Sequence, residues 1–254
     1  MKSACVTQLY KMPNSWEVIP WGKYYCIALN QKLQPWWPQI FGFHLLKIGK
    51  LSLQINTQSS LISHQFSMNI DGSDFQLLGS SNEMPFDTKS IDACLLIHQL
   101  SYSANPHWLL RETDRILVDD GWLILSNFNS FSLLGIGKSI PFLNKWQPYR
   151  SHMFSICRQL DWLSLLNYEI LYQQSFQLIP WISPDHFINK NLKFLGCINL
   201  IIARKRKLPL NPIPIKFIRT RVKIGNILGV VKFFCTNLIS FVPYSIGYPL
   251  LLVN

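Results

Sequence analysis

Residues 83–127 confine the fold more tightly than any other part of the chain. Residues 91–97 are almost continuously apolar, the pattern of a parallel strand buried on both faces. Asn105 followed by Pro106 marks a helix start. The amide oxygen caps free backbone N–H groups, and proline suits the first helical position. Along that helix Leu109, Leu110, Ile116 and Leu117 share an apolar face, opposite Arg111, Glu112, Asp114 and Arg115. Asp119-Asp120-Gly121 reads as a turn and residues 122–126 as a second strand. Strand, helix and strand in this order form a β-α-β unit with a ligand-facing edge.

The flanks extend the alternation. Residues 1–20 show no period and read as an arm. Trp21, Tyr24, Tyr25, Ala28, Leu29 and Leu33 recur at helical spacing, until Pro35 and Pro38 end the pattern. Residues 43–49, 63–70 and 75–78 read as three short strands, the second closed by Asp71-Gly72. Residues 153–166 read as a helix, and 169–178 with 197–203 as a final strand pair. The longest loop, 127–150, is a candidate lid. The expected organisation is an arm and lead-in helix over 1–40, an α/β domain over 41–207 and a tail over 208–254. The alternation predicts a doubly wound, mostly parallel sheet. Ligands of such sheets bind beyond the carboxyl ends of the strands, where strand order reverses. Gly49, Asp71, the turn Ser80-Ser81-Asn82-Glu83, Ile97, His98 and Asn127 collect on that rim.

A chain of 254 residues is long enough for one such domain with a full core. Its six cysteines are scattered, with neither a Cys-x-x-Cys pair nor a zinc spacing. They read as the reduced thiols of a cytoplasmic protein with no metal. No apolar run follows the first charges, so the start does not read as a signal peptide. Net charge is +11, and it is unevenly placed. Residues 1–185 hold 13 basic and 13 acidic side chains, whereas residues beyond Asp185 hold 11 basic and none acidic. Such asymmetry points to a membrane-surface or nucleic-acid contact, or to a loosely packed tail.

The residues Met84-Pro85-Phe86, Ile91-Asp92, Asn105-Pro106, Arg115-Ile116-Leu117 and Gly121-Trp122 form a recognisable series. In it the chain resembles the class I S-adenosylmethionine-dependent methyltransferases of type 11, in particular their uncharacterised YafS-like bacterial branch. The resemblance covers residues 40–130 well and the flanks by order of elements. It implies a seven-stranded Rossmann-like sheet with the last strand antiparallel, S-adenosylmethionine as cofactor and a small-molecule methyl acceptor.

That cofactor needs backbone close to its methionine end, a carboxylate for the ribose hydroxyls and a slot for adenine. The family's acid followed by Gly-x-Gly-x-Gly is here Lys47-Ile48-Gly49-Lys50-Leu51. One glycine remains, with Lys47 where the acid would stand and Leu51 where a second glycine would. Gly49 either cradles the cofactor or merely ends a strand. Asp71 lies at the spacing of a ribose-binding acid and equally suits an Asp-Gly turn. Ser80 stands where the family reads the adenine amino group, with Ser81 and Glu83 beside it. Phe86 either walls the slot or packs in the core. His98 is either a base beside the cofactor or a satisfied structural histidine. Methyl transfer is driven by alignment, and no residue is singled out as catalytic.

Arg204-Lys205-Arg206-Lys207 forms a basic cluster, with Lys216, Arg219, Arg221 and Lys223 beyond three prolines. After Lys232 the chain is uncharged for 22 residues. That length suffices to cross a bilayer, with the basic run on the cytoplasmic side. Pro243, Gly247 and Pro249 interrupt it, so an interfacial anchor or a tail packed on the domain fits as well. A Lys/Arg run alone gives only non-specific phosphate affinity, and a nucleic-acid partner is not expected. The expectation is a cytoplasmic methyltransferase, in contact with a membrane surface if the tail anchors it. A catalytically inactive member of the same fold, kept as a scaffold, is the alternative.

Overall fold

The computed structural model describes residues 12–69, 77–78, 84–138, 148–179 and 195–207. Among them run β1 (His44–Ile48), β2 (His64–Asn69), β3 (Leu77–Leu78), β4 (Ile91–Ile97), β5 (Leu117–Phe128), β6 (Tyr168–Phe176) and β7 (Ile198–Lys205). The helices are α1 (Gly22–Leu33), α2 (Lys50–Leu53), α3 (Gln99–Tyr102), α4 (Pro106–Ile116), α5 (Leu133–Gly137) and α6 (Ile156–Leu165). The strands form one seven-stranded sheet of order β3-β2-β1-β4-β5-β7-β6. β1 to β5 are parallel, and β7 runs antiparallel to both β5 and β6. Strand order therefore reverses between β1 and β4, and sheets of this kind take ligands in a crevice beyond the carboxyl ends at that point.

Alternation along the central strands feeds two cores. Leu45, Ala93, Leu95, Ile97 and Ile124 face one side, where Trp16, Ile19, Tyr25, Leu29, Leu33 and Leu51 cover them. Leu46, Ile48, Cys94, Leu96 and Leu125 face the other, under Leu109, Leu110 and Ile116 of α4 and Trp162 and Leu163 of α6. Asn105 caps α4 as expected, its side chain accepting from the Trp108 N–H at 3.2 Å. Cys26, Cys94, Cys157 and Cys197 are all free thiols.

Three expectations change. The described part of the N-terminal segment is core rather than a free arm. Trp16 is 2% exposed, and its indole N–H donates to the Leu51 carbonyl at 3.1 Å. Its backbone N–H donates to Gln54 Oε1, also at 3.1 Å. Second, Asp119-Asp120-Gly121 is no turn between elements but an irregularity inside β5. Ile91 pairs with Leu117 and Ala93 with Trp122, so Asp92 alone opposes residues 118–121. Asp120 takes a left-handed φ of 65° there. Third, the basic cluster is not an open patch. Lys205 pairs with Asp114 at 3.2 Å, Arg206 with Asp120 at 2.9 Å and Lys207 with Asp119 at 3.3 Å. Arg206 also meets Glu169. The chain divides after Pro209, and the readings made for residues 208–254 lie outside the described residues. The candidate lid holds α5, while residues 139–147 also lie outside them.

Lys205 carries more than charge pairing. Its amine donates to the Asp114 and Leu117 carbonyls at 2.5 and 3.2 Å, closing the carboxyl end of α4 where a cation suits the helix dipole. Its side chain is only 14% exposed, against 64% for Lys207. Lys205→Ala is expected to lower unfolding stability by about 1–3 kcal/mol, and Lys207→Ala by less than about 0.5 kcal/mol. Urea unfolding of the two variants checks this; equal losses would mean that Lys205 acts only as a surface charge.

Candidate functional site

The crevice is built from the residues that leave β1 and β4. Gly49 ends β1 with φ of 88°, a conformation that side chains with a Cβ rarely adopt. Its N–H donates to the Met68 carbonyl at 3.0 Å. A Cβ placed on it would lie 2.3 Å from Gln99 Oε1 and 3.1 Å from Met12 Cε. Glycine here is thus demanded both by the backbone angle and by the approach of the Gln99 side chain from the start of α3. The chain then turns at once into α2. Leu51 is wholly buried among Trp16 and the first-face core, so the bulk that replaces a second glycine stays off the rim.

Lys47 also leaves the rim free. Its amine donates to Thr57 Oγ1 at 2.6 Å, and the Thr57 hydroxyl in turn donates to Gln65 Oε1 at 2.5 Å. Gln65 stands level with Leu45 in the β1–β2 register, toward the amino end of the strands and away from Gly49. Half-burial pulls the Lys47 pKa below its ordinary value.

β4 ends at Ile97, whose side chain is buried in the first-face core, so it offers only backbone to the rim. His98 follows with a left-handed φ of 54°. Its N–H donates to the Ser126 carbonyl at 2.7 Å. The ring stacks on Phe128 at 3.9 Å between centroids and meets the edge of Trp16 at 5.3 Å. It is wholly buried, and neither ring nitrogen has a hydrogen-bond partner among the described residues. Desolvation lowers its pKa to about 3. His98 is therefore neither of the two things expected of it. It is too weak a base to hold a proton near neutral pH, and its ring is not satisfied.

Gln99, the first residue of α3, is 5% exposed, and its Oε1 is a second buried polar atom without a partner. Beneath it runs a satisfied chain. Ser101 Oγ donates to Asn127 Oδ1 at 3.3 Å, Asn127 Nδ2 to Gln159 Oε1 at 3.0 Å and Gln159 Nε2 to the Phe154 carbonyl at 3.1 Å. This network holds the ends of β4 and β5 and the start of α6 in one arrangement. Asn127 was legible as a rim residue; Gln99, Ser101 and Gln159 were not. For Gln99 the signal was the polar pair His98-Gln99 directly after an apolar strand.

Asp71, Ser80, Ser81 and Glu83 lie outside the described residues. Phe86 does not wall the Gly49 rim. It packs on Phe66 at 5.5 Å and lines a cavity of about 600 Å³ with His44, His64 and Ile91, at the opposite, amino-terminal edge of the sheet. Two other pieces of the motif series hold the fold. Arg115 donates to the Phe86 and Met84 carbonyls at 2.9 and 3.0 Å and pairs with Glu112 at 3.0 Å. Asp92 Oδ2 accepts from the Phe43 and His44 N–H groups, both at 2.9 Å, and so anchors the start of β1. Among the described residues no group of three or more His, Cys, Asp or Glu is placed to hold a metal.

Comparison with known proteins agrees with this architecture. The model of a methyltransferase domain family matches residues 53–125. The uncharacterised protein YafS of Escherichia coli (strain K12) is 44% identical over 233 residues, which span 91% of this chain and 97% of YafS. A solved structure of an S-adenosylmethionine-dependent methyltransferase from Thermotoga maritima, described as a possible histamine N-methyltransferase, superposes with a TM-score of 0.55. It is 16% identical, over 72% of this chain and 91% of its own. A methyltransferase from Archaeoglobus fulgidus gives a TM-score of 0.53 at 16% identity, over 72% of this chain and 96% of its own. These two likenesses are of fold.

The His98 environment has a pH signature. Unfolded, the imidazole titrates near 6.5; folded, it resists protonation down to about 3. The unfolded chain therefore binds the extra proton in that window. The stability held above pH about 6.5 is lost as pH falls toward 3, by about 2 kcal/mol between pH 7 and pH 5. His98→Phe is expected to remove that part of the pH dependence, read from urea unfolding at the two pH values. An unchanged slope in the variant would mean that the ring is hydrated or paired in solution.

Proposed function

The chain belongs to the class I type 11 methyltransferases, in the branch that contains YafS, and on that premise we propose that it holds S-adenosylmethionine at the β1–β4 rim and methylates a small-molecule acceptor there. The observation that carries this reading is Gly49. A single glycine with positive φ ends β1 there, and the unpartnered Gln99 Oε1 that closes on it would have to move aside for the methionine end of the cofactor to approach the backbone. When bound, the cofactor supplies a methyl group activated by a sulfonium.

The residues present fit that group in kind. Gly49 and the backbone at Ile97 offer approach without a Cβ. His98 offers a neutral, buried ring whose nitrogens have no partner among the described residues. By sequence position Asp71 after β2 would serve the ribose hydroxyls, and Ser80, with Ser81 and Glu83, the adenine edge. The protein's share of the chemistry is alignment and exclusion of water. A proton held by His98 is no part of it, so the acceptor brings its own nucleophilic atom. The scaffold alternative rested on the missing glycines and on the Lys47 and Ser80 replacements. Leu51 buried in the core and the Lys47 amine engaged with Thr57 weigh against the first two, while Ser80 lies outside the described residues.

Calorimetric titration of S-adenosylhomocysteine tests the reading. The whole chain and a chain truncated after Lys207 are expected to bind with equal micromolar affinity. Gly49→Ala should weaken binding by about tenfold or more, because its methyl group enters the cradle under left-handed strain. Absence of binding in folded whole chain would sink the proposal. Undiminished binding by the alanine variant would move the ligand to another part of the molecule.

A further inference from the structure

We infer that His44 and His64 form a two-histidine site for a divalent transition-metal ion of the zinc class, at the amino edge of the sheet and apart from the β1–β4 rim. The inference is independent of the cofactor reading. It stands on the geometry of the first residues of β1 and β2.

Strand register makes the pair. His44 and His64 are Cα partners in the parallel β1–β2 pairing, so their side chains leave the same face of the sheet. They lie 20 residues apart in sequence, which is why no local Cys/His spacing announced a metal. The two rings stand at 81° to one another with centroids 4.9 Å apart, and their Nδ1 atoms meet at 2.8 Å. Two imidazole lone pairs do not face each other at that distance without a positive centre between them, and two N–H groups do not either. A proton is one such centre and a metal ion is the other. His44 is half-buried and His64 exposed, so a hydrated ion reaches both rings.

The surroundings suit an ion. Asp92 Oδ2 accepts from the His44 N–H at 2.9 Å. Gln65, next to His64, is held by donating to the Thr57 and Ile62 carbonyls at 3.4 and 3.1 Å. Both rings therefore rise from backbone that is already set. The pair opens on the cavity of about 600 Å³, whose wall also carries Asp87 and Ser90, and this leaves room for the waters that complete the shell. Arg115 lines the cavity too, but its guanidinium is spent on the Phe86 and Met84 carbonyls and on Glu112. Imidazole nitrogen selects zinc, copper or nickel, whereas magnesium and calcium take oxygen ligands. With Zn–N bonds of about 2.0–2.1 Å in a tetrahedral shell, the two nitrogens stand about 3.3 Å apart, so the rings need to part by only about 0.5 Å. The proton between them moves to the outer Nε2 of the ring that carried it, and both Nδ1 lone pairs then bind the metal. The ion ties β1 to β2 where the two strands begin.

Thermal unfolding and calorimetry of the whole chain, freed of metal by chelation and dialysed near neutral pH, test the site with zinc chloride as the probe. About 0.5 mM zinc is expected to raise the unfolding midpoint by a few degrees through mass action on the folded state, and the same concentration of magnesium to leave it unmoved. His64→Ala, at the exposed position, should remove that rise and weaken zinc binding by about tenfold or more, and His44→Ala should do the same. Cys157→Ser, which removes an exposed thiol elsewhere, should change neither reading. Midpoints without zinc show that the variants are folded; should His44→Ala fail to fold, the His64 variant decides alone. A wild-type midpoint that zinc does not raise, a rise kept by folded His64→Ala, or a rise lost in Cys157→Ser would overturn the inference.

Discussion

Burial of the central strands on both faces is the constraint from which the rest of this protein follows. β1 and β4 pair in parallel at the middle of the sheet, and nearly every side chain they carry is spent on one core or the other. Polar chemistry is thereby confined to the strand ends. At the carboxyl ends strand order reverses, and two unsatisfied groups gather there: the unpaired His98 ring and the Gln99 side-chain oxygen, which closes on the Gly49 backbone. The asymmetry between the two edges is instructive. At the amino edge the polar groups are spent on the fold, with Asp92 holding the start of β1 and Arg115 holding the turn at Met84 and Phe86. At the carboxyl edge His98 and the Gln99 oxygen are left over beside the satisfied chain of Ser101, Asn127 and Gln159.

What the sequence made legible was what local periodicity writes. The apolar run from Ile91 to Ile97 had to be a central strand, and Asn105-Pro106 had to start a helix. The strand ends after Gly49 and Ile97 then followed. What it hid were consequences of tertiary contact. Trp16 belongs to no period, yet it is clamped to Leu51 and Gln54 and forms part of the core. Asp119-Asp120-Gly121 carries turn chemistry, but the pairing of β4 with β5 continues across it, so the turn is absorbed as an irregularity. Lys47 and Leu51 looked like damage to a glycine motif. Only the direction of each side chain shows that both point away from the crevice. Gln99 lies one residue beyond His98 and drew no notice, because an exposed glutamine and a buried unpaired one look the same in sequence.

Charge tells a similar story. The cluster Arg204-Lys205-Arg206-Lys207 appears in sequence as the start of a long basic region. In the fold its members meet Asp114, Asp119, Asp120 and Glu169, which the irregularity in β5, the end of α4 and the start of β6 bring to the same edge. Their principal effect is to fasten β7 to the β-α-β unit rather than to present a field to a partner. His98 makes the complementary point for a single group. Position alone made it a candidate base, and complete desolvation between Phe128 and Trp16 takes that role away.

The central claim is that one glycine, with the groups facing it across the β1–β4 crevice, suffices to hold the cofactor. Hydrogen–deuterium exchange with and without S-adenosylhomocysteine tests it most directly, because it reads location as well as binding. The account predicts added protection at the amides of residues 49–53 and 98–103, on either side of the strand reversal, and near Asp71 and Ser80–Glu83, the positions proposed for the ribose and adenine. Protection that falls instead on residues 64–66 and 84–91, around the cavity at the opposite edge, or that is absent from the crevice altogether, would contradict it.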